Sequence, residues 1–275
     1  MTGHALKAMK LYDQVERVFN ELHAAGIRDE DPIPVELLCS LDQYHYHGTT
    51  AVDFAFRTLG LGPGDRVLDV GAGIGGPARH LASRVGCHVT AIELQPDLND
   101  TAAALTRRCG LEARIEHRCA DFLDTPLPAA SFDALMSWLV FLHIPDRPTL
   151  YRRCAQVLEP SGSLFVEDYF QRRPFSPKQR EDLRVKIQCP SLPSFEDYAS
   201  QLGEAGFVDV ELTDMTANWT AFVTDRARAY QAGRERHIAM NGQEIFDGLD
   251  DFYATVAALF DSGNLGGIRV RARKR

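Results

Sequence analysis

No two of the six cysteines, at positions 39, 87, 109, 119, 154 and 189, have C-x-x-C spacing. Neither a zinc ribbon nor a thioredoxin-type dithiol is therefore suggested. Scattered single thiols in a chain of 275 residues fit a reducing cytosol, the expected compartment. No run approaches about 18 consecutive apolar residues, so no membrane span is expected. The opening stretch "MTGHALKAMKLYDQVERVF" is amphipathic and lacks the apolar segment of a secretory signal. Basic charge is scarce as well: 30 Lys and Arg against 38 Asp and Glu leave a net charge of −8. That deficit argues against a nucleic-acid partner, because such binders usually carry a basic patch. The exception, "RVRARKR" at the end, reads as a solvated tail closing a strand. Internal repeats and low-complexity segments are also missing. The remainder is ordinary for a globular protein, with 45% hydrophobic and 25% charged residues.

Along the chain, residues 5–25 place Leu6, Met9, Val15, Val18, Phe19 and Leu22 at helical spacing, and Gly26 stops the run. The turn-rich "RDEDPIP" follows, then the row "LDQYHYHGTTAV", then a helix over Thr50–Leu59. From "RVLDV" onward the pattern changes. Strand-like "RVLDV", "CHVTAIE", "ARIEHRC", "FDALMSW", "SLFVEDY", "VDVELT" and "LGGIRVRAR" alternate with helical segments until the long, mostly helical stretch 217–262. This alternation predicts an α/β fold: a Rossmann-like, parallel, doubly wound sheet of seven strands. Residues 1–48 read as an N-terminal helical lid and 49–275 as the sheet domain. Two insertions, 171–193 with its four prolines and the helical 217–262 before the last strand, stand where substrate contacts could arise. Ser194 is a candidate N-cap, with Glu196 and Asp197 in the first turn behind it.

The segment "VLDVGAGIGGPARHLA" carries the most chemistry. Gly71, Gly73 and Gly75 give G-x-G-x-G, and Gly76 completes G-x-G-x-x-G. Glycine is needed where backbone must turn at positive φ or approach a ligand closely. In an open α/β sheet that place lies at the carboxyl end of the first strand, near the switch point. Glu93 ends the second strand and is placed to accept from ribose hydroxyls. Up to here the ligand could be NAD or S-adenosylmethionine. "CADF" then offers Asp121 for an adenine amino group and Phe122 as an apolar face, and "SFDALMSWLVFLHIPD" with "LEPSGSLFVEDYF" is not a dehydrogenase arrangement.

Together these elements resemble class I S-adenosylmethionine-dependent methyltransferases over residues 66–170. The resemblance implies that Asp69, Gly71, Ala72, Gly73 and Gly75 flank the methionine part of that cofactor. Glu93 would hold the ribose with Leu94 beside the adenine, Asp121 and Phe122 would hold the adenine, and Trp138 joins the same set. Outside the core, "FLHIPD" with His143, "EDYF" with Tyr169 and "DMTANW" with Trp219 resemble the phosphoethanolamine and sarcosine/dimethylglycine N-methyltransferases. "Tyr-x-x-x-Gly", here Tyr44 to Gly48, is similar to the lid of those enzymes, whose tyrosine pairs with the histidine matching His143. The expected acceptor is a small-molecule amine. Tyr44, Tyr46, Leu139, His143, Tyr169, Arg184 and Trp219 form the expected substrate set, with His143 and Tyr44 catalytic. "LRVKI" is the segment that would bring Arg184 to a carboxylate.

The sequence departs from the pattern in two respects. The amine enzymes carry Asp where Leu139 stands, and the phosphate-holding Arg and Tyr of the phosphobase enzymes would fall near Gln188 and Pro190. A carbon, oxygen or sulfur acceptor thus stays open, as does a non-catalytic binding module. The ring row Tyr44–His47 has two further readings, a metal site through His45 and His47 or plain core packing. A metal would need a third ligand, and no Cys/His/Asp cluster stands near; no metal is expected. A homodimer is an open alternative to a monomer.

Overall fold

The computed structural model describes residues 15–275. Seven strands form one sheet in the order β3-β2-β1-β4-β5-β7-β6. They are β1 (Arg66–Val70), β2 (His88–Glu93), β3 (Ile115–Cys119), β4 (Phe132–Trp138), β5 (Leu158–Gln171), β6 (Phe207–Asp214) and β7 (Leu265–Lys274). Eleven helices of the described residues surround or precede it: α1 (Glu16–Ala24), α2 (Val35–Leu38), α3 (Gly48–Leu59), α4 (Gly76–Val85), α5 (Pro96–Arg108), α6 (Arg147–Val157), α7 (Pro177–Val185), α8 (Phe195–Glu204), α9 (Thr216–Ala232), α10 (Arg234–Asn241) and α11 (Gln243–Asp261).

The Rossmann-like, doubly wound expectation holds, with one correction. β1 to β5 pair in parallel, but β7 runs antiparallel between β5 and β6. The cause is the insertion ahead of it. β6 ends on the same side as β5, and α9 to α11 keep the chain there. A short turn after Asp261 then re-enters the sheet from the carboxyl edge, so β7 can only run back. α3 starts two residues earlier than the sequence suggested, at Gly48, and the first helix is seen over Glu16–Ala24; residues 5–14 of that expectation lie outside the described residues.

β1 lies between β2 and β4, where Val67 pairs with Val89 on one side and Ala134 on the other. Its last four residues are all buried, the mark of a strand covered on both faces. This is also where the strand order reverses, so the switch-point crevice opens at the carboxyl ends of β1 and β4. Local signals fix the surrounding helices. Ser176 and Ser194 each make a reciprocal capping box, with Gln179 and Asp197, which satisfies amide groups that α7 and α8 would otherwise leave open.

The N-terminal segment docks on the glycine loop. Val18, Leu22, Ile33 and Leu38 pack with Ile74, Leu98 and Leu105, and Tyr44 adds its ring to this cluster. At its centre the fully buried Arg79 of α4 holds Asp42 at 2.8 Å and also donates to the Ile74 carbonyl. Gly76 permits the approach, since a Cβ there would lie 2.3 Å from the Asp42 carbonyl oxygen.

Candidate functional site: a glycine-lined crevice beside an aromatic cluster

Asp69, on β1, is buried, and neither carboxylate oxygen has a hydrogen-bond partner. Burial, with Glu93 nearby, pushes its pKa up to about 7. A buried acid left without a donor is destabilising by itself. It is the kind of group a cationic ligand satisfies. The loop beyond it turns sharply: Gly71 and Ala72 both donate to the Ile92 carbonyl, at 2.9 and 3.0 Å. At Gly73, with φ +55°, a Cβ would meet nothing within 4 Å, so the loop leaves open space on that side. Glu93 sits opposite. Its carboxylate accepts from the Gly73 and Gln95 amides, each at 2.9 Å, and burial raises its pKa. Gly75, the next of the loop, donates to Ala72 and caps α4. Leu94 is half-buried just beyond β2. Asp121 accepts from the Leu123 amide at 2.9 Å, which fixes the turn after β3, and Phe122 is buried beneath it. These residues therefore share one rim, as the sequence suggested. The orphaned acid, the open side of Gly73 and the ribose-type carboxylate fit S-adenosylmethionine in its cation, its close backbone approach and its diol.

Trp138, the last residue of β4, packs with Ala72 and Met136 in the core and lies 4.8 Å from the His45 ring. His45 Nε2–H donates to the Gly48 carbonyl, 3.0 Å away, and burial lowers its pKa to about 4. It is a packing residue that ties the aromatic row to β4. Among the described residues no cluster of three or more His, Cys, Asp or Glu could hold a metal.

The row is irregular, and its two tyrosines part. Tyr44 turns toward Ile74 and Leu98, whereas Tyr46 turns into a second cluster with Leu142, Tyr169, Trp219 and Phe260. The Tyr46 and Tyr169 hydroxyls hydrogen-bond to each other, and Trp219 meets the Tyr46 ring edge-on at 4.7 Å. Burial raises the pKa of both Tyr44, to about 12, and Tyr46, so both hydroxyls stay protonated. The tyrosine of the row that reaches β5 is Tyr46. Residues 43–47 form no strand, so the two tyrosines need not share a face, and their rings end in different clusters.

His143 ends a 3-10 turn over Phe141–His143 that follows β4. Its Nδ1 lies 3.1 Å from the Gln188 carbonyl, so Nδ1 carries the proton and Nε2 presents a lone pair. Burial lowers its pKa to about 4, so the ring is neutral at physiological pH. Leu139, Gln188 and His47 all have positive φ, 56°, 56° and 59°, three of the six non-glycine residues in that region among the described residues. Such strain gathers at functional sites. Leu139 packs at the edge of the aromatic cluster. Arg184 does not join the group. It lies on the exposed side of α7, paired with Glu181 at 2.7 Å, because the helical phase turns Leu183 inward and its neighbour out.

One residue escaped the sequence reading. Arg226 of α9 lies with its guanidinium carbon 4.9 Å from the Tyr46 ring centre and 4.5 Å from that of Tyr253. The signal was present, since Arg226 stands seven residues after Trp219 and four after Phe222, on one helical face.

Comparison with known proteins agrees with this geometry. Residues 68–166 match the methyltransferase domain family. A phosphoethanolamine N-methyltransferase of Triticum aestivum is 32% identical over 191 residues, covering 70% of this chain and 37% of that protein. A sarcosine/dimethylglycine N-methyltransferase of Halorhodospira halochloris is 33% identical over 166 residues, covering 57% of this chain and 56% of that protein. The chain thus spans little more than a third to about half the length of these curated relatives. Among solved structures, phosphoethanolamine N-methyltransferase 2 of Haemonchus contortus, bound to phosphomonomethylethanolamine and S-adenosylhomocysteine, superposes with a TM-score of 0.80 at 22% identity, covering 98% of this chain and 60% of that one. The fold is that of this solved methyltransferase, and residues 68–166 are similar to the methyltransferase domain family. The chain is similar in sequence to phosphoethanolamine and sarcosine/dimethylglycine N-methyltransferases.

Proposed function

We propose that the protein transfers a methyl group from S-adenosylmethionine to a small-molecule acceptor, with an amine nitrogen as the favoured target. The observation that carries this reading is the pairing of an orphaned buried carboxylate, Asp69, with the open, glycine-lined crevice at the end of β1. S-Adenosylmethionine, when bound, supplies an electrophilic methyl group on a sulfonium. Asp69, Glu93, Asp121 and the Gly71–Gly75 loop are the residues that would hold it. The rest of the task is alignment, a proximity effect that can supply up to about 7–11 kcal/mol. His143 offers Nε2 to take a proton from an acceptor that arrives protonated. Tyr46, Tyr169 and Trp219 offer ring faces to a cationic amine, each worth up to about 2 kcal/mol when dry.

Leu139 favours a second reading. It puts an alkyl group where a counter-charge for an ammonium would help, which suits a carbon, oxygen or sulfur nucleophile. A non-catalytic binding module is the remaining class. The lid over residues 1–48, a cytosolic location and a homodimer are further proposals. Six cysteines without a disulfide support the second, and the docking of Asp42 against Arg79 supports the first. The net charge of −8 supports a small molecule over nucleic acid as partner. The test is release of S-adenosylhomocysteine with a panel of amines, thiols, phenols and isoprenoids. Turnover of amines above the others supports the reading. Turnover confined to the apolar members supports the second, and cofactor binding without any turnover leaves a binding module.

A further inference from the structure

Three enclosed arginines of the described residues each meet a carboxylate. Arg79 pairs with Asp42 at 2.8 Å, Arg147 with Asp168 at 3.5 Å and Arg269 with Glu167 at 2.6 Å. Arg226 is the exception. It is half-buried, its Nε is fully enclosed without a hydrogen-bond partner, and among the described residues it makes no ion pair. The titratable groups that act on it most are Tyr46, Tyr253 and Tyr169, none of them a carboxylate, and the neutral Tyr46 side chain hydrogen-bonds it. Ring faces surround it instead, with the guanidinium carbon 4.9 Å from Tyr46, 4.5 Å from Tyr253 and 5.6 Å from Phe222.

Rings attract a cation but do not neutralise it, and a cation withdrawn from water without a counter-charge is costly. Such a group persists where an anion from outside completes it. Its position says which anion. Tyr46 touches Arg226 with its ring and hydrogen-bonds Tyr169 of β5, so the arginine flanks the same cluster that Leu139 borders. His143 follows Leu142, a member of that cluster, in the 3-10 turn after β4.

We propose that Arg226 is a specificity-determining residue that pairs with an anionic group of the acceptor, a carboxylate or a phosphate monoester. This rests on the proposed function above. The acceptor then has two ends: an anion held by the planar fork of Arg226, and a nucleophile turned toward His143 and the methyl donor. The fork suits both anions, which present paired oxygens. The role falls to α9 rather than to exposed Arg184.

The experiment measures binding by calorimetry in the presence of saturating S-adenosylhomocysteine. The probes are dimethylglycine and its methyl ester, and phosphoethanolamine and ethanolamine. Wild type should bind at least one probe that carries the anion and bind the counterpart lacking it about 10- to 100-fold more weakly, the range expected for a charged hydrogen bond. The carboxylate and phosphate arms say which anion is read. Arg226→Gln should lose that preference while S-adenosylhomocysteine affinity is kept, and Arg226→Lys should restore part of it. Wild type that binds neither anion, or binds the probes lacking it as well, overturns the proposal, as does an unchanged preference in Arg226→Gln. The ester and ethanolamine comparisons need no variant, so a variant that fails to fold does not spoil the test. Failure of S-adenosylhomocysteine to bind at all would instead sink the proposed function.

Discussion

Replacing Asp69 with asparagine separates what this residue costs the fold from what it gives the site. The folded protein holds the Asp69 proton up to about pH 7, whereas the ordinary value is 3.8. Burial is the main cause and Glu93 the second. Between those values the folded state binds a proton that the unfolded chain has released, so stability falls as pH rises. Integrating proton uptake from pH 5 to 8 gives a loss of about 2–3 kcal/mol from this group alone. The replacement amide is nearly isosteric with the neutral acid and cannot ionise. Asp69→Asn should therefore gain about 2–3 kcal/mol on wild type between pH 5 and pH 8. Urea unfolding at both pH values, without cofactor, reads the difference, and taking the variant as reference cancels every other titrating group. The same variant should bind S-adenosylmethionine at least about tenfold more weakly, because the cation loses its counter-charge. A difference that does not change with pH would refute the argument. So would a variant that binds the cofactor as well as wild type.

His143→Ala should lower kcat by about 10²–10⁴ at neutral pH while cofactor affinity stays, if Nε2 accepts the nucleophile's proton. Because burial holds the ring's pKa at about 4, the acidic limb of the rate should fall near that value and not near 6.5, and the variant should lack it. An unchanged rate and profile would leave alignment alone as the catalyst. Amides over Leu41–Gly48 should exchange more slowly with S-adenosylhomocysteine than without it, as a closing lid requires. Equal protection in both states would make the row a fixed part of the core.

Much of the architecture was legible because it follows from local chemistry. The run "RVLDV" into four glycines can only be a buried strand entering a tight turn, and Ser194 with Asp197 marked the start of α8. The reversed direction of β7 was not legible, since strand-like residues carry no sign of which edge the chain re-enters. That Asp69, Gly73 and Glu93 stand together at strand ends was readable for the same reason as the fold. The placement of the aromatic row was not. Whether Tyr44 or Tyr46 faces the cluster depends on the phase of an irregular row, fixed by Asp42 locking onto Arg79. Arg226 carried a signal in its helical spacing from Phe222 and Trp219, but its enclosure, unlike the solvation of Arg184, needed the structure.

The account stands on the glycine crevice being a cofactor site, and a calorimetric titration of wild type and Gly73→Val with S-adenosylhomocysteine tests it most directly. A Cβ at Gly73 meets no protein atom within 4 Å, so a branched side chain there fills space the ligand would use. One site per chain in wild type, weakened at least about tenfold in a variant that still folds, is the expected result. No binding at millimolar ligand, or equal affinity in the two proteins, would contradict it.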